Sequence, residues 1–70
     1  MNIYHLPDNV QLHLTEGKGT YILRLWDGDA AMYYPGMIGY SGPNAEALAT
    51  AAADRITSAL AMINTCPELN

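Results

Sequence analysis

Positively charged side chains are scarce in this chain: three of its 70 residues are Lys or Arg, against seven Asp and Glu. The resulting formal net charge of −4 has the wrong sign for a protein that neutralises phosphate groups with a basic surface. Charged residues of both signs make up 14% of the chain and apolar residues 50%, which excludes an acidic disordered tail. We therefore expect a folded protein that does not bind nucleic acid directly.

Cysteine and long apolar runs are also scarce. Cys66 is the single cysteine and cannot form a bridge within the chain, which excludes the disulfide framework of small secreted domains. The N-terminal residues lack the basic and apolar regions of a signal peptide. No stretch approaches the ~20 apolar residues of a membrane span. These absences predict a soluble, cytoplasmic protein that does not contact a membrane.

The first half of the chain carries strand patterns. Residues 10–15 alternate between apolar and polar side chains, and residues 20–26 are rich in β-forming residues. Glu16-Gly17-Lys18-Gly19 and Asp27-Gly28 are hairpin signals, because glycine adopts the positive φ values that tight turns need. We predict a three-stranded antiparallel meander with strands at about 10–15, 20–26 and 29–34. Residues 3–6 would form a fourth, edge strand.

A long amphipathic helix is predicted in the second half. Residues 35–43 hold three glycines and two prolines and are expected to form a loop. Apolar residues then recur at steps of four and three, as on one face of a helix. The predicted core-facing positions are Leu48, Ala52, Ile56, Leu60 and Ile63, with Ala45, Ala49 and Ala59 beside them. Thr65-Cys66-Pro67 should end the helix, because proline cannot continue it. The prediction is one α+β domain over residues 1–70, a meander packed against a C-terminal helix at about 44–64.

One face of this sheet has no second element to cover it. We place His13, Arg24, Trp26 and one of Tyr33 and Tyr34 on that face. Exposed rings there would form an interaction patch, or they could pack on one another or under the N-terminal segment. A separate stripe of small helix residues would allow a second copy to approach, which leaves a homodimer open. That stripe is Ala47, Ala51, Arg55, Ser58 and Met62.

The motifs of common enzymes and metal sites are incomplete. Gly39-Tyr40-Ser41-Gly42 begins like a nucleophile elbow, but Pro43 stands at the second glycine and no His follows to act as base. Asp27-Gly28-Asp29 begins like a calcium loop, yet no carboxylate stands at the twelfth position. His5 and His13 lack the spacing of a zinc site and are interpreted as exposed polar strand residues. We expect no catalytic residue, no metal and no cofactor.

Negative charge is expected to collect at one end of the sheet. In an up-down-up meander Asp8, Asp27 and Asp29 share a rim, and an antiparallel helix brings its partially negative C-terminus and Glu68 toward it. Aspartate is also a good turn former, which explains these residues without a partner. The alternative is that the rim, with Glu46 and Asp54, binds a protein with a basic surface. The predicted partner-binding residues are Asp8, Asp27, Asp29, Glu46, Asp54, Trp26, Arg24 and Tyr33.

Two resemblances sharpen these expectations. The segment from Tyr33 to Gly39, followed by Ala45-Glu46-Ala47-Leu48, resembles HicB antitoxins, in which an aromatic-Pro-x-x-x-Gly turn precedes an E-A-L helix. That resemblance implies neutralisation of a small toxin RNase. As a small acidic single domain, the chain also resembles phage-encoded anti-CRISPR proteins. That resemblance implies a non-catalytic inhibitor that blocks the basic nucleic-acid-binding surface of a Cas effector subunit in a bacterial host cell. A homodimeric structural module of a phage or plasmid is a third interpretation.

Overall fold

The computed structural model describes residues 1–64, with side chains through residue 61. Within these residues, an antiparallel five-stranded sheet packs against one helix, which confirms the predicted α+β fold. The strands lie in the order β1-β2-β3-β4, and β5 also pairs with β3. The elements are β1 (Asn2–Leu6), β2 (Val10–Gly17), β3 (Thr20–Asp27), β4 (Met32–Tyr33), β5 (Ile38–Tyr40) and α1 (Ala45–Asn64).

Two tight turns set the register of the first three strands. Lys18 and Gly19 have φ values of 55° and 80°, so both central residues of the β2–β3 turn are left-handed, as in the type I′ turns that match strand twist. Asp8 and Asn9 adopt the same geometry between β1 and β2, with φ values of 62° and 60°. The expected fourth strand is therefore present at the edge of the sheet.

The third predicted strand differs from the observed structure. Instead of a strand over 29–34, only Met32–Tyr33 pairs with the end of β3. The Asp27 carboxylate accepts hydrogen bonds from the backbone amides of Asp29 (2.9 Å) and Ala30 (3.3 Å), and Ala31 has a φ of 57°. These contacts widen the turn and shorten the strand that follows it.

The predicted loop over 35–43 is also partly wrong, because it contains β5. Ile38–Tyr40 pairs with the first half of β3, where Tyr40 lies opposite Tyr21 and Ile38 opposite Leu23. The outer edge of β3 is therefore shared by two short strands, and the intervening Pro35 and Gly36 carry the chain from one to the other. This arrangement covers more of the edge than the predicted meander would.

The helix occupies Ala45–Asn64, close to its predicted bounds, and Ala45, Ala49 and Ala52 are buried as predicted, but the buried face is turned away from Leu48 and toward Ala53. Its buried face consists of alanines, whereas Leu48, a predicted core residue, is 52% exposed, and Ala59 is also exposed. The sheet already supplies large side chains, so small helix residues allow the two layers to approach closely. The core consists of Leu12, Leu14, Leu23, Ala49, Ala52 and Ala53, with Ile56 packed against it.

The helix begins near the β2–β3 turn and runs toward the β1–β2 turn. Leu60 lies beside Pro7 and Asp8, which places the later part of the helix at the end of the sheet that carries the acidic residues. This direction agrees with the prediction. The side chains of Met62 and Ile63, and the predicted helix end at Thr65-Cys66-Pro67, lie outside the described part of the chain. No helix among residues 1–64 is long and apolar enough to cross a membrane.

The buried alanines of the helix predict very different losses of stability for two substitutions in the same helix. Ala53 is 0% exposed, whereas Ala51 is exposed. Ala53→Asp should cost several kcal/mol, because it buries an unpaired carboxylate in a domain whose stability is about 4–10 kcal/mol. Ala51→Asp should cost about 0.5 kcal/mol. Urea unfolding followed by circular dichroism measures both. Equal unfolding midpoints would show that the helix buries a different face.

Candidate functional site

The first candidate surface is the acidic rim, which we define as Asp8, Asp27 and Asp29. Contacts between the β1–β2 turn and the turn after β3 bring these residues together. The Gly28 amide donates to the Asn9 carbonyl at 2.9 Å, and the Asn9 side-chain amide donates to Asp29 Oδ1 at 3.0 Å. The rim is therefore assembled from two turns that are held to each other.

The rim carboxylates serve the turns and still carry charge. Asp27 Oδ1 accepts two backbone amides and Asp29 Oδ1 accepts the Asn9 amide, which agrees with the interpretation of these residues as turn formers. Of the three cationic side chains, Lys18 is in the turn at the opposite end of β2, Arg24 is in the middle of β3, and Arg55 is exposed on the helix. In the last turn of the helix there is no basic residue, so the partial negative charge of the helix end adds to the rim.

The structure does not bring the other predicted acidic residues to the rim. Glu46 lies in the first helical turn, beside Tyr21 and Glu16. Tyr21 and Asp27 are separated by the length of β3, roughly 20 Å at 3.3 Å per residue. Burial raises the pKa of the Tyr21 phenol, and the charges of Glu46 and Glu16 raise it further. Asp54 is exposed on the helix. Glu68 lies outside the described residues.

The second candidate surface is the open-face cluster, which we define as His13, Arg24, Trp26 and Tyr33 on the sheet face opposite the helix. The rings pack on one another, as one of the two expectations for this face anticipated. The ring centroids of Trp26 and Tyr33 are 5.0 Å apart at 75°, and those of His13 and Trp26 are 5.7 Å apart at 15°. Tyr33 is thus the tyrosine of the open face, while Tyr34 is 41% exposed beyond the strand.

His13 was expected to be an exposed strand residue, and this expectation is wrong. Its ring is 7% exposed, with Nδ1 2.9 Å from the Tyr33 hydroxyl and Nε2 2.8 Å from Gln11 Oε1. A carbonyl oxygen only accepts, so Nε2 donates to Gln11 and Nδ1 accepts from Tyr33. Burial lowers the pKa of His13, which keeps the ring neutral near physiological pH.

Arg24 is the cation of the cluster, and its guanidinium is stacked on an aromatic ring. Its guanidinium carbon lies 3.9 Å from the centroid of the Tyr33 ring, a close cation–π contact. Its Nε atom is buried and has no hydrogen-bond partner among the described residues. The open-face cluster therefore holds a cation against an aromatic ring and leaves part of its hydrogen-bonding capacity unused.

Sequence reasoning missed two residues. Asn9 joins the two turns of the acidic rim, and Gln11 accepts a hydrogen bond from His13 in the open-face cluster. Gln11 could have been found from strand alternation, because it shares a face with His13 two residues later. The hydrogen bond between Asn9 and Asp29 joins residues 20 positions apart, so no local sequence pattern predicts it.

The helix-facing side of the sheet also has two shallow, mainly apolar depressions, and a third depression near the start of the helix is mainly polar and includes Glu16, Tyr21 and Glu46 in its lining. Of the two apolar depressions, one is lined by Leu25, Tyr34, Met37, Ile38 and Ile56, the other by Leu6, Val10, Leu25, Tyr34 and Leu60. Among the described residues no group of three or more His, Cys, Asp or Glu side chains could hold a metal ion.

Comparisons of the chain with protein-family models, curated proteins and solved structures found no match. The function must therefore be inferred from the charge and geometry of the two surfaces.

The contact between the two rim turns predicts a position-specific glycine effect. A Cβ atom at Gly28 would lie 2.5 Å from the Asn9 carbonyl oxygen, whereas a Cβ at Gly17 meets nothing within 4 Å. Gly28→Ala should therefore cost about 1–3 kcal/mol through forced backbone movement. Gly17→Ala should change stability by at most about 1 kcal/mol. If urea unfolding gave the same free energy for both variants, the close approach of the two turns would be refuted.

Burial of His13 predicts a pH dependence of stability. The native pKa lies below the ordinary value of 6.5, so the unfolded chain binds more protons as the pH falls through about 6.5. The free energy of unfolding should therefore be highest above this pH, fall as the pH is lowered, and level off below the native pKa. Urea unfolding between pH 8 and pH 5 measures the slope.

His13→Gln should remove this component of the slope. The matched control is His5→Gln, which changes an exposed histidine on the same face of the sheet. This variant should keep the pH slope that His13 causes. Comparing slopes rather than absolute stabilities separates the titration from lost packing. An unchanged slope in His13→Gln would show that the ring is already hydrated in the native state.

Proposed function

We propose that this chain is a non-catalytic inhibitor that blocks the basic nucleic-acid-binding surface of a CRISPR effector, in the manner of anti-CRISPR proteins. The observation that carries this proposal is the acidic rim: three carboxylates from two different turns lie at one end of the sheet. The helix directs its partially negative C-terminal end to the same place.

The rim is suited to binding a cationic protein because two of its three carboxylates, those of Asp27 and Asp29, are already oriented by hydrogen bonds. Asp27 and Asp29 each use Oδ1 in turn contacts, and Oδ2 of each has no hydrogen bond to another described residue, so it can accept from Lys or Arg of a partner. Side chains that are held before binding lose less conformational entropy when the complex forms. A strong local negative charge also steers association with a basic surface and makes its rate dependent on salt.

Inhibition is favoured over other roles by the distribution of charge. Surfaces that bind DNA or guide RNA are rich in Lys and Arg, and a carboxylate rim competes with phosphate groups for the same side chains. The net charge of −4 opposes binding of this chain to nucleic acid itself. Two of the depressions beside the helix are mostly apolar. The third contains the carboxylates of Glu16 and Glu46 but no histidine, cysteine or serine among its lining residues, so it lacks the usual base and nucleophile of hydrolysis.

The test compares two charge-reduced variants in a DNA-binding assay with purified type I and type II CRISPR effector complexes. The rim variant is Asp8→Asn/Asp27→Asn/Asp29→Asn, which keeps the side-chain oxygens of the turns. The control is Glu16→Gln/Glu46→Gln/Asp54→Asn, which removes the same number of charges from other parts of the molecule. We expect the unchanged chain and the control to prevent DNA binding, and the rim variant to be at least 10-fold weaker.

Salt provides an independent check on the same complexes. Raising the salt concentration from about 0.05 to 0.5 M should weaken inhibition by the unchanged chain more than inhibition by the rim variant, because screening acts on the interactions that the variant lacks. If no effector complex is inhibited, the proposed function is refuted. If the rim and control variants are equally weak, net charge rather than the rim is responsible.

A HicB-like antitoxin is the second candidate, supported by the sequence segment from Tyr33 to Leu48, in which β5 lies between the proline turn and the helix. β4 ends at Tyr33, Pro35 and Gly36 form the following connection, and Glu46 and Leu48 are exposed in the first part of the helix. The discriminating experiment co-expresses the chain with a HicA-type toxin RNase in bacteria. Rescue of growth that is lost in Glu46→Lys/Leu48→Lys would favour this candidate over the first.

A further inference from the structure

We propose that the open-face cluster is a second docking site, in which Arg24 receives a single Asp or Glu side chain from an apolar patch of a protein partner. The site lies on a different surface from the acidic rim and does not depend on what the rim binds. Its chemistry is a carboxylate–guanidinium pair surrounded by aromatic side chains.

Among the described residues, the strands place no carboxylate on the open face. The strands contain only two acidic residues, Glu16 and Asp27. Glu16 lies opposite Tyr21, and Asp27 lies opposite Val10, so both belong to the set of pairs that includes the core pair Leu14 and Leu23. Because side chains alternate between faces, Arg24 stands on the opposite face without a strand carboxylate beside it. Because the strand carboxylates lie on the other face, the Arg24 guanidinium can pair with a carboxylate from another protein.

Arg24 is partly desolvated and only partly compensated. Its Nε atom is buried without a hydrogen bond to any described residue, and loss of hydration around a cation is unfavourable unless a partner replaces the water. The Tyr33 ring, 3.9 Å from the guanidinium carbon, supplies some of that compensation. A carboxylate that binds the terminal nitrogens would supply the charge that the ring lacks.

The cluster also holds the guanidinium in place. Tyr33 is fixed by its hydrogen bond to His13 at 2.9 Å and by its edge contact with Trp26. An Arg that is already stacked on a fixed ring gives up less freedom when it binds a carboxylate. Trp, Tyr and Arg are the residue types that contribute most to binding energy in protein interfaces, where neighbouring rings exclude water from the central contact.

A protein carboxylate fits this face better than single-stranded nucleic acid does. Stacking of bases requires free ring faces, but Arg24 covers one face of Tyr33 and His13 covers one face of Trp26. A polyanionic strand is also repelled by the net charge of −4, whereas one carboxylate within an apolar surface is repelled much less.

The experiment uses nuclear magnetic resonance at pH 7.5 on the full chain, with two blocked peptides as probes: acetyl-Leu-Glu-Leu-amide and acetyl-Leu-Gln-Leu-amide. We expect the Glu peptide to shift the Arg24 Nε–H and Trp26 indole N–H signals in a saturable way. The Gln peptide should bind at least 10-fold more weakly, because it lacks the charge that pairs with the guanidinium.

Matched variants identify the cation responsible. Arg24→Gln should lose at least 10-fold in affinity for the Glu peptide, as read from the Trp26 signal. Arg55→Gln removes the same charge from the exposed helix surface and should bind as the unchanged chain does. Arg24→Lys keeps the charge but not the planar fork and should be weakened several-fold. Retention of the other backbone amide shifts shows that each variant is folded.

Four results would overturn the proposal. Equal binding of the two peptides would show that the face recognises apolar groups only. Full binding by Arg24→Gln would place the carboxylate elsewhere, and shifts caused by an oligothymidine but by neither peptide would make this a nucleic-acid surface. Absence of any response at millimolar peptide would likewise refute it. The rim variant should bind the Glu peptide normally, so failure of the inhibitor proposal is distinguishable from failure of this one.

Discussion

Antiparallel pairing of β2 with β3 is the interaction on which the other features of the structure depend. Eight cross-strand pairs run from Val10 opposite Asp27 to Gly17 opposite Thr20. Side chains alternate between faces, so a slip of one residue would move Leu12 and Leu14 from the core to solvent. The observed register places these leucines under the helix, and it also brings the end of β3 beside the β1–β2 turn. The acidic rim and the open-face cluster are therefore two consequences of one pairing.

The helix covers only one face of the sheet. The other face must therefore be stabilised by its own side chains. His13, Trp26 and Tyr33 do this through ring contacts and hydrogen bonds, and they bury the His13 ring without a covering element. The residues that stabilise this face are thus the same ones that it presents to a partner. Such a face can be rigid before binding, which favours specific recognition.

Much of the architecture could be predicted from the sequence, because turn residues and hydrophobic periods are local signals. The helix and the two long strands lie within two residues of their predicted bounds. The short strands were not predictable in this way: Asp27-Gly28 indicates a tight hairpin, but the Asp27 carboxylate binds two following amides and widens the turn. Leu48 was misplaced because the period of a helix indicates roughly where the buried face lies, while packing against the sheet decides where its edges fall.

The sequence by itself determined the first three strands, the helix and the excess of negative charge, since these depend on residues close together in the chain. Only the tertiary structure decided that Glu46 lies far from the rim, that His13 is buried and neutral, and that Arg24 stands over Tyr33. The physical reason is that hydration, ring contacts and hydrogen bonds depend on neighbours in space. The partners of His13 and Asp29 include groups 20 residues away, which no local pattern can specify.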